Sequence, residues 1–346
     1  MELTGTQFFI LFGSSFISVS FLTALMRRIA IKYGVVYAPN ESHKTQKEPI
    51  PYLGGVAIVI GVLLITITSS IVSHYSASAV WLAVSVLAPA LLLAIVGLID
   101  DVRKLSPWPR FLVQTAVASI SALILVLTET LGSPTGSMFI DVLITIIWIV
   151  GLTNAINFFD NVDGGASGTI AISSAFLGIL AIQGGQTLIA ALSIVLCGAT
   201  LGFLVWNKPP ARIYMGDAGA LFLGVLIASL AVRLDPNPIN RAASFAIPIF
   251  LLAIPILDTS VAVTKRIVRG VSPFQGGRDH LSHRLMGRGL EKRRAVLILW
   301  GFALFFAFLA LATSLAPYHL EGVITAVGIV SWVALFIFFL FQKDDN

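Results

Sequence analysis

The sequence predicts an all-α polytopic membrane protein of about ten or eleven transmembrane helices, with the N-terminus outside and the polar chemistry on the cytoplasmic face. Three observations predict it. The 346 residues are 57% hydrophobic and only 11% charged, with a mean hydropathy of +0.94, whereas soluble domains carry roughly 25% charged residues. Apolar runs long enough to cross a hydrocarbon core of roughly 30 Å recur along the whole chain, and backbone groups in lipid must be satisfied within helices. Lys and Arg cluster in alternate connecting segments, which fixes the orientation.

The runs fall at 7–26, 52–72, 79–98, 109–128, 139–156, 168–183, 187–206, 218–234, 243–263, 295–314 and 320–341. Arg27 and Arg28 follow the first run rather than precede it, the wrong order for a cleaved signal peptide. The sixth and eighth runs are short or glycine-interrupted. No repeat or soluble domain interrupts the series, so 1–346 reads as a single integral membrane domain. Its longest polar stretch, 265–294, is a basic cytoplasmic loop. With the N-terminus outside, segments 27–51, 99–108, 157–167, 207–217, 264–294 and the C-terminal tail lie inside. They hold every Lys and Arg except Arg110, Arg233 and Arg241.

The isoelectric point near 9.5 does not indicate nucleic acid, because the basic residues occupy short loops between apolar runs. The single cysteine, Cys197, lies in an apolar run and reads as a small core residue.

Six segments carry chemistry. In GLIDDVRK, adjacent Asp100 and Asp101 repel each other unless a divalent cation or basic neighbours compensate them. Arg103, Lys104 and Arg110 could do so, and a carboxylate pair at a helix end could hold Mg2+ against a phosphate. The bland reading is a helix-terminus charge cluster. In GLTNAINFFDNVDGGASG, Asn154 and Asn157 share a helix face and Asp160 and Asp163 repeat the spacing; the alternative is an interhelical amide clamp before a glycine turn. In WNKPPARIYMGDAGALFLG, Pro209 and Pro210 end one helix and Asp217 could cap the next. Asp258, inside an apolar run near Pro255, is a solitary buried carboxylate that needs a partner, a proton or a metal. Asp279, by contrast, reads as a solvated loop residue. In SPFQGGRDHLSHRLMGRG, His280 and His283 have a spacing that could bind zinc, but Arg278, Arg284 and Arg288 around them favour a diphosphate; a basic membrane-surface loop is the alternative. In HKTQKEPIPYLGG, His43, Lys44 and Lys47 precede a proline turn and Gly54–Gly55, with phosphate contact expected of the basic residues.

In this order, PYLGG, GLIDDVRK, NAINFFDNVDG, NKPPARIYMGDAG, Asp258 and HLSHRL resemble the polyprenyl-phosphate N-acetylhexosamine-1-phosphate transferases (glycosyltransferase family 4), over residues 43 to 288. The resemblance implies ten or eleven helices with the active site on the cytoplasmic side of a bacterial-type plasma membrane. It implies attack of a polyprenyl (undecaprenyl) phosphate on the β-phosphate of a UDP-N-acetylhexosamine, releasing UMP, with Mg2+ (or Mn2+) as cofactor and membrane lipids as surroundings. It makes a homodimer plausible. By similarity, Asp100, Asp101 and Asp258 are catalytic, and Asp258, Asp101 and Asp163 form the metal set. Asn157, Asp160, Asp163, Asn207, Asp217, His280, His283 and Arg284 bind the donor, and Lys44, Lys47 and Lys104 the lipid phosphate. The HLSHRL loop looks more like the N-acetylglucosamine type than the phospho-N-acetylmuramoyl-pentapeptide translocase. Asn161 departs from the glycine usual in the DGxDG block, and the first loop departs in spacing. Two other classes compete: a lipid-diphosphate transporter, which needs access from both faces, and a CDP-alcohol phosphatidyltransferase, whose compact Asp-Gly-Ala-Arg run is not reproduced here.

Overall fold

The computed structural model describes residues 3–37, 50–73, 76–127, 135–236, 240–273 and 277–342. Thirteen helices and one two-stranded pairing follow in order: α1 Gly5–Lys32, β1 Val36–Tyr37, β2 Ile50–Pro51, α2 Gly54–Val72, α3 Ala77–Arg103, α4 Pro107–Leu127, α5 Met138–Phe159, α6 Gly165–Gln183, α7 Thr187–Asn207, α8 Gly216–Val232, α9 Arg241–Leu251, α10 Ala253–Val268, α11 Leu281–Gly287, α12 Lys292–Leu315 and α13 Tyr318–Leu340. Among the described residues, nine helices are long and apolar enough to span a membrane, and α9 with α10 makes a tenth as a broken pair. The 17-residue apolar helix α8 accounts for the remaining run of the sequence.

The buried centre is α8. Every residue from Ala218 to Ala231 is buried, which explains why its sequence is apolar all round. Helices α3, α5 and α2 pack against it through small residues, the means by which helices approach closely in lipid. A side chain at Gly97 of α3 would fall onto the Asp217 carbonyl, and one at Gly55 onto the Gly219 backbone. Helices α1 and α13 show the opposite pattern: Phe9 and Phe21 on the first are 75% and 70% exposed, as a lipid-facing surface requires.

The ninth run is not continuous. It bends by 78° between α9 and α10, at Leu252. The cause is Pro255, whose ring clashes with the carbonyl four residues back and which offers no N–H to it. That carbonyl, Leu251 O, accepts instead from the Ser173 hydroxyl of α6 at 2.6 Å. The bend leaves Asp258 on α10, facing the loop that carries α11.

The end of the bundle that gathers the chemistry-bearing segments is tied together by backbone. Tyr214 N–H donates to Pro51 O (2.8 Å), while Gly54 and Gly55 N–H donate to Tyr214 O (3.0 Å) and Met215 O (2.7 Å). PYLGG and IYMGD, some 160 residues apart, thus form one short ladder beside the start of α8.

Candidate active site

Three hydrogen-bond networks meet at this end of the bundle, and the segment from Asn157 to Gly164, the end of α5 and the turn after it, touches all three.

The first surrounds the N-terminus of α8. Gly216 takes φ +73°, a left-handed conformation suited to glycine, and a Cβ there would come within 2.7 Å of the Asp101 carboxylate. Asp101 accepts the N–H groups of Asp217 (2.9 Å) and Ala218 (3.1 Å). The helix is therefore capped from α3, not by Asp217 as the sequence allows; an anion is stabilised there by unpaired N–H groups and the helix dipole. Asp217, in the first turn, receives Arg110 Nη1 at 2.7 Å and Asn157 Nδ2 at 2.8 Å. Arg110 Nη1 also bonds Asp100, whose other oxygen accepts Leu105 N–H at 2.6 Å. One guanidinium thus bridges two carboxylates, and Asp100 is 7% exposed. Asn154, expected beside Asn157, instead clamps Gln114 of α4 at 2.8 Å.

The second network holds the HLSHRL loop. Asp258 is fully buried and not solitary: it accepts Leu281 N–H and His280 Nδ1, both at 2.7 Å. Asn161 Nδ2 approaches it at 3.5 Å, and the Asn161 carbonyl accepts the Ser282 hydroxyl. His280 is the residue before α11, and its ring lies 5.9 Å from that of His283. Asp279, expected in solvent, is 4% exposed and bound by Arg266 through Nε and Nη2, both at 2.7 Å. Burial works to raise its carboxyl pKa, but the Arg266 bonds and charge hold it below the usual range. Arg284 donates to the backbone, to Asp279 O (3.0 Å) and Gln342 O (3.2 Å). Arg288 lies over the Phe338 ring at 4.7 Å. Burial, then the neighbouring His280 charge, pushes His283 down to about 4, so it is neutral near pH 7; its Nδ1 is buried without a partner.

The third network fixes the turn. Asn207 Oδ1 accepts Gly164 N–H (2.9 Å) and the Ser167 hydroxyl (3.0 Å), while its amide donates to Ile213 O (3.0 Å). Asp163 accepts Ala211 N–H and Lys292 Nζ, both at 3.1 Å.

Between these networks stands Asp160, whose carboxylate has no hydrogen-bond or ion-pair partner among the described residues. Burial, then the charges of Asp217, Asp101 and Asp163, push its pKa well above the usual carboxylate value. Asp258, Asp101 and Asp163, the metal set expected from the resemblance, sit in separate networks. Among the described residues no three His, Cys, Asp or Glu side chains come together as ligands for a metal ion, a zinc site at His280 and His283 included. Mg2+, however, is commonly held by one or two carboxylates plus substrate phosphates and water. The unpaired carboxylate of Asp160 fits that demand. Lys104 ends α3 in an exposed left-handed conformation (φ 49°); Lys44 and Lys47 lie outside the described residues.

Arg110 was visible in the sequence as a counter-charge to the aspartates. Asn161 stands out in the sequence only as a departure from the family's glycine, with nothing to indicate its bonds to Ser282 and Asp258; Ser282, Arg266 and Lys292 carry no signal by residue type alone. A Lys opening an apolar run on the polar face is the one local signal that could have found Lys292.

A family model described as glycosyl transferase family 4 matches residues 83–235. The chain is 33% identical over 336 residues to a probable undecaprenyl-phosphate N-acetylglucosaminyl 1-phosphate transferase of Bacillus subtilis (strain 168), covering 94% of this chain and 87% of the relative. It is 31% identical over 355 residues to a decaprenyl-phosphate N-acetylglucosaminephosphotransferase of Mycolicibacterium smegmatis, with the same coverage. A phospho-N-acetylmuramoyl-pentapeptide-transferase of Listeria monocytogenes serotype 4b is 29% identical over 283 residues, covering 77% of this chain and 84% of that one.

Proposed function

Because the chain belongs to glycosyl transferase family 4, we propose that it transfers N-acetylglucosamine 1-phosphate from a UDP-sugar to a polyprenyl phosphate for cell-envelope polysaccharide synthesis. The active site faces the cytoplasm, as the distribution of Lys and Arg supports, and the membrane is the plasma membrane, a reading that rests on the family resemblance. The relatives, named as N-acetylglucosamine phosphate transferases acting on undecaprenyl or decaprenyl phosphate, support the sugar and the lipid class. The observation that carries the site is Asp160: a carboxylate with no partner, crowded by three others. A proton or a bound cation relieves such a group, and the donor diphosphate brings its cation to this end of the bundle.

Asp160 would hold Mg2+ together with the donor's own phosphates and water, and the ion would supply charge neutralisation to the donor diphosphate. In the reaction, an oxygen of the lipid phosphate forms a bond to the β-phosphorus, the bond from that phosphorus to the bridging oxygen breaks, and UMP leaves with the electron pair. The lipid phosphate is already ionised near pH 7 and needs alignment more than deprotonation. Direct attack is favoured over a phospho-aspartate because both oxygens of Asp100 are engaged, one by Arg110 and one by Leu105 N–H. Asn157 holds Asp217 in place, and Asp258 anchors the His280 loop beside the donor.

The test is UMP release by purified protein with undecaprenyl phosphate and Mg2+, comparing UDP-N-acetylglucosamine with UDP-N-acetylmuramoyl-pentapeptide. Release with the first alone, lost in Asp160→Asn while thermal stability is kept or raised, is the expected result. Release with the pentapeptide donor alone would assign the other transferase type. No lipid-dependent UMP with either donor would overturn the reading.

A further inference from the structure

Beyond the site, α12 and α13 enclose an apolar groove of about 800 Å3 lined by Ile298, Gly301 and Phe305 on one helix and Ser331, Ala334 and Phe338 on the other. Phe305 and Phe338 are 43% and 47% exposed. Its mouth is charged. Arg288 is exposed and lies 4.7 Å above the Phe338 ring, and among the described residues that ring is its sole partner. One turn past Phe338, Lys265 and Arg284 both donate to Gln342 O. We propose that this groove is a binding site for one anionic glycerophospholipid, with an acyl chain along α12 and α13 and the phosphate on Arg288.

Depth and position favour that occupant. Helix α12 starts on the same face as the carboxylates, where Lys292 pairs with Asp163. From Ile298 to Phe305 the groove runs about 10 Å at 1.5 Å per residue, inside the roughly 15 Å of one leaflet. Apolar depth and a cation at the surface match a headgroup and chain from the leaflet on the site's side, where anionic lipids meet basic residues at roughly 1 kcal/mol per cation. The carboxylates of the candidate active site stand on α3, α8, α10 and the turn after α5, none of which contributes a groove residue. This separates the groove from the acceptor's reacting end. The inference does not depend on the proposed reaction.

The experiment is native mass spectrometry of the full chain, delipidated in detergent and titrated with dioleoyl-phosphatidylglycerol or dioleoyl-phosphatidylcholine. The first equivalent of phosphatidylglycerol is expected to bind about 5-fold tighter than phosphatidylcholine. Arg288→Gln removes that preference. Gly301→Leu weakens both lipids; a Cβ at Gly301 meets no atom within 4 Å, so the added side chain starts in open groove space, and an unchanged melting temperature verifies the fold of this variant. Equal binding of the two lipids, or no effect of either variant, overturns the proposal. So does one-for-one displacement of phosphatidylglycerol by undecaprenyl phosphate, which would give the groove to the acceptor. Disulfide capture of two copies through Ser331→Cys in membranes would also overturn it by giving the groove to a second chain; the natural Cys197 is buried and does not interfere.

Discussion

Asp101 caps a helix that begins 115 residues later in the chain: its carboxylate accepts the N–H groups of Asp217 at 2.9 Å and Ala218 at 3.1 Å. The same contact fixes α3 to α8 and aligns Asp100, Asp217 and Arg110. Asp101→Ala removes both acceptors, and a lost helix cap of this kind costs about 1–2 kcal/mol. Thermal unfolding in detergent should show the loss, with Asp101→Asn intermediate because one carbonyl acceptor remains. Equal stability of wild type and Asp101→Ala would refute the capping role.

Close helix approach makes a second prediction. Gly97→Ala drives a methyl group onto the Asp217 carbonyl, and overpacking of this kind costs about 1–3 kcal/mol. Gly151, also helical, has open space at its Cβ, so Gly151→Ala should be neutral or stabilise by about 0.5–1 kcal/mol. Melting temperatures of the two variants should therefore move in opposite directions. A Gly97→Ala protein as stable as wild type would contradict the packing.

Asp258 is expected to order the loop after α10. In Asp258→Ala, the Leu281 N–H and the His280 ring lose their buried acceptor, a penalty of about 1–3 kcal/mol. Hydrogen–deuterium exchange across residues 279–287 should accelerate by about 10-fold, whereas exchange in α8 stays unchanged. Asn161→Gly, which removes the bond from Ser282, should loosen the same stretch to a smaller degree. Unaltered protection in both variants would exclude the clasp.

The pH dependence follows from His283. Burial, then the neighbouring His280 charge, lowers its folded pKa from 6.5 to about 4. The unfolded chain takes up a proton below pH 6.5 that the folded chain refuses until about 4. Stability thus rises with pH in this window: the contribution is complete above 6.5 and is lost as the pH falls toward 4. Thermal stability of the wild type should decline across that interval, and His283→Gln should flatten the slope. An identical slope in both proteins would rule His283 out as the cause.

The architecture was legible in the sequence because lipid imposes it residue by residue. Apolar runs had to be helices, and all eleven recur in the structure, nine as long spans, one as the broken α9–α10 pair and one as the short α8. The charged loops marked which ends carry chemistry, and the ordered motifs identified the family. Local signals could not say which side chains pair. Asp101 rather than Asp217 caps α8, Asp258 is matched by a histidine 22 residues on, and Asp279 is buried against Arg266 rather than solvated. The first outcome depends on which helix ends meet across more than a hundred residues, and the other two on how the loop after α10 folds back onto that helix beyond the bend at Leu252. Composition and periodicity constrain each segment toward lipid or water. Only tertiary packing decides which carboxylate finds a partner and which, like the half-buried Asp160, is left without one.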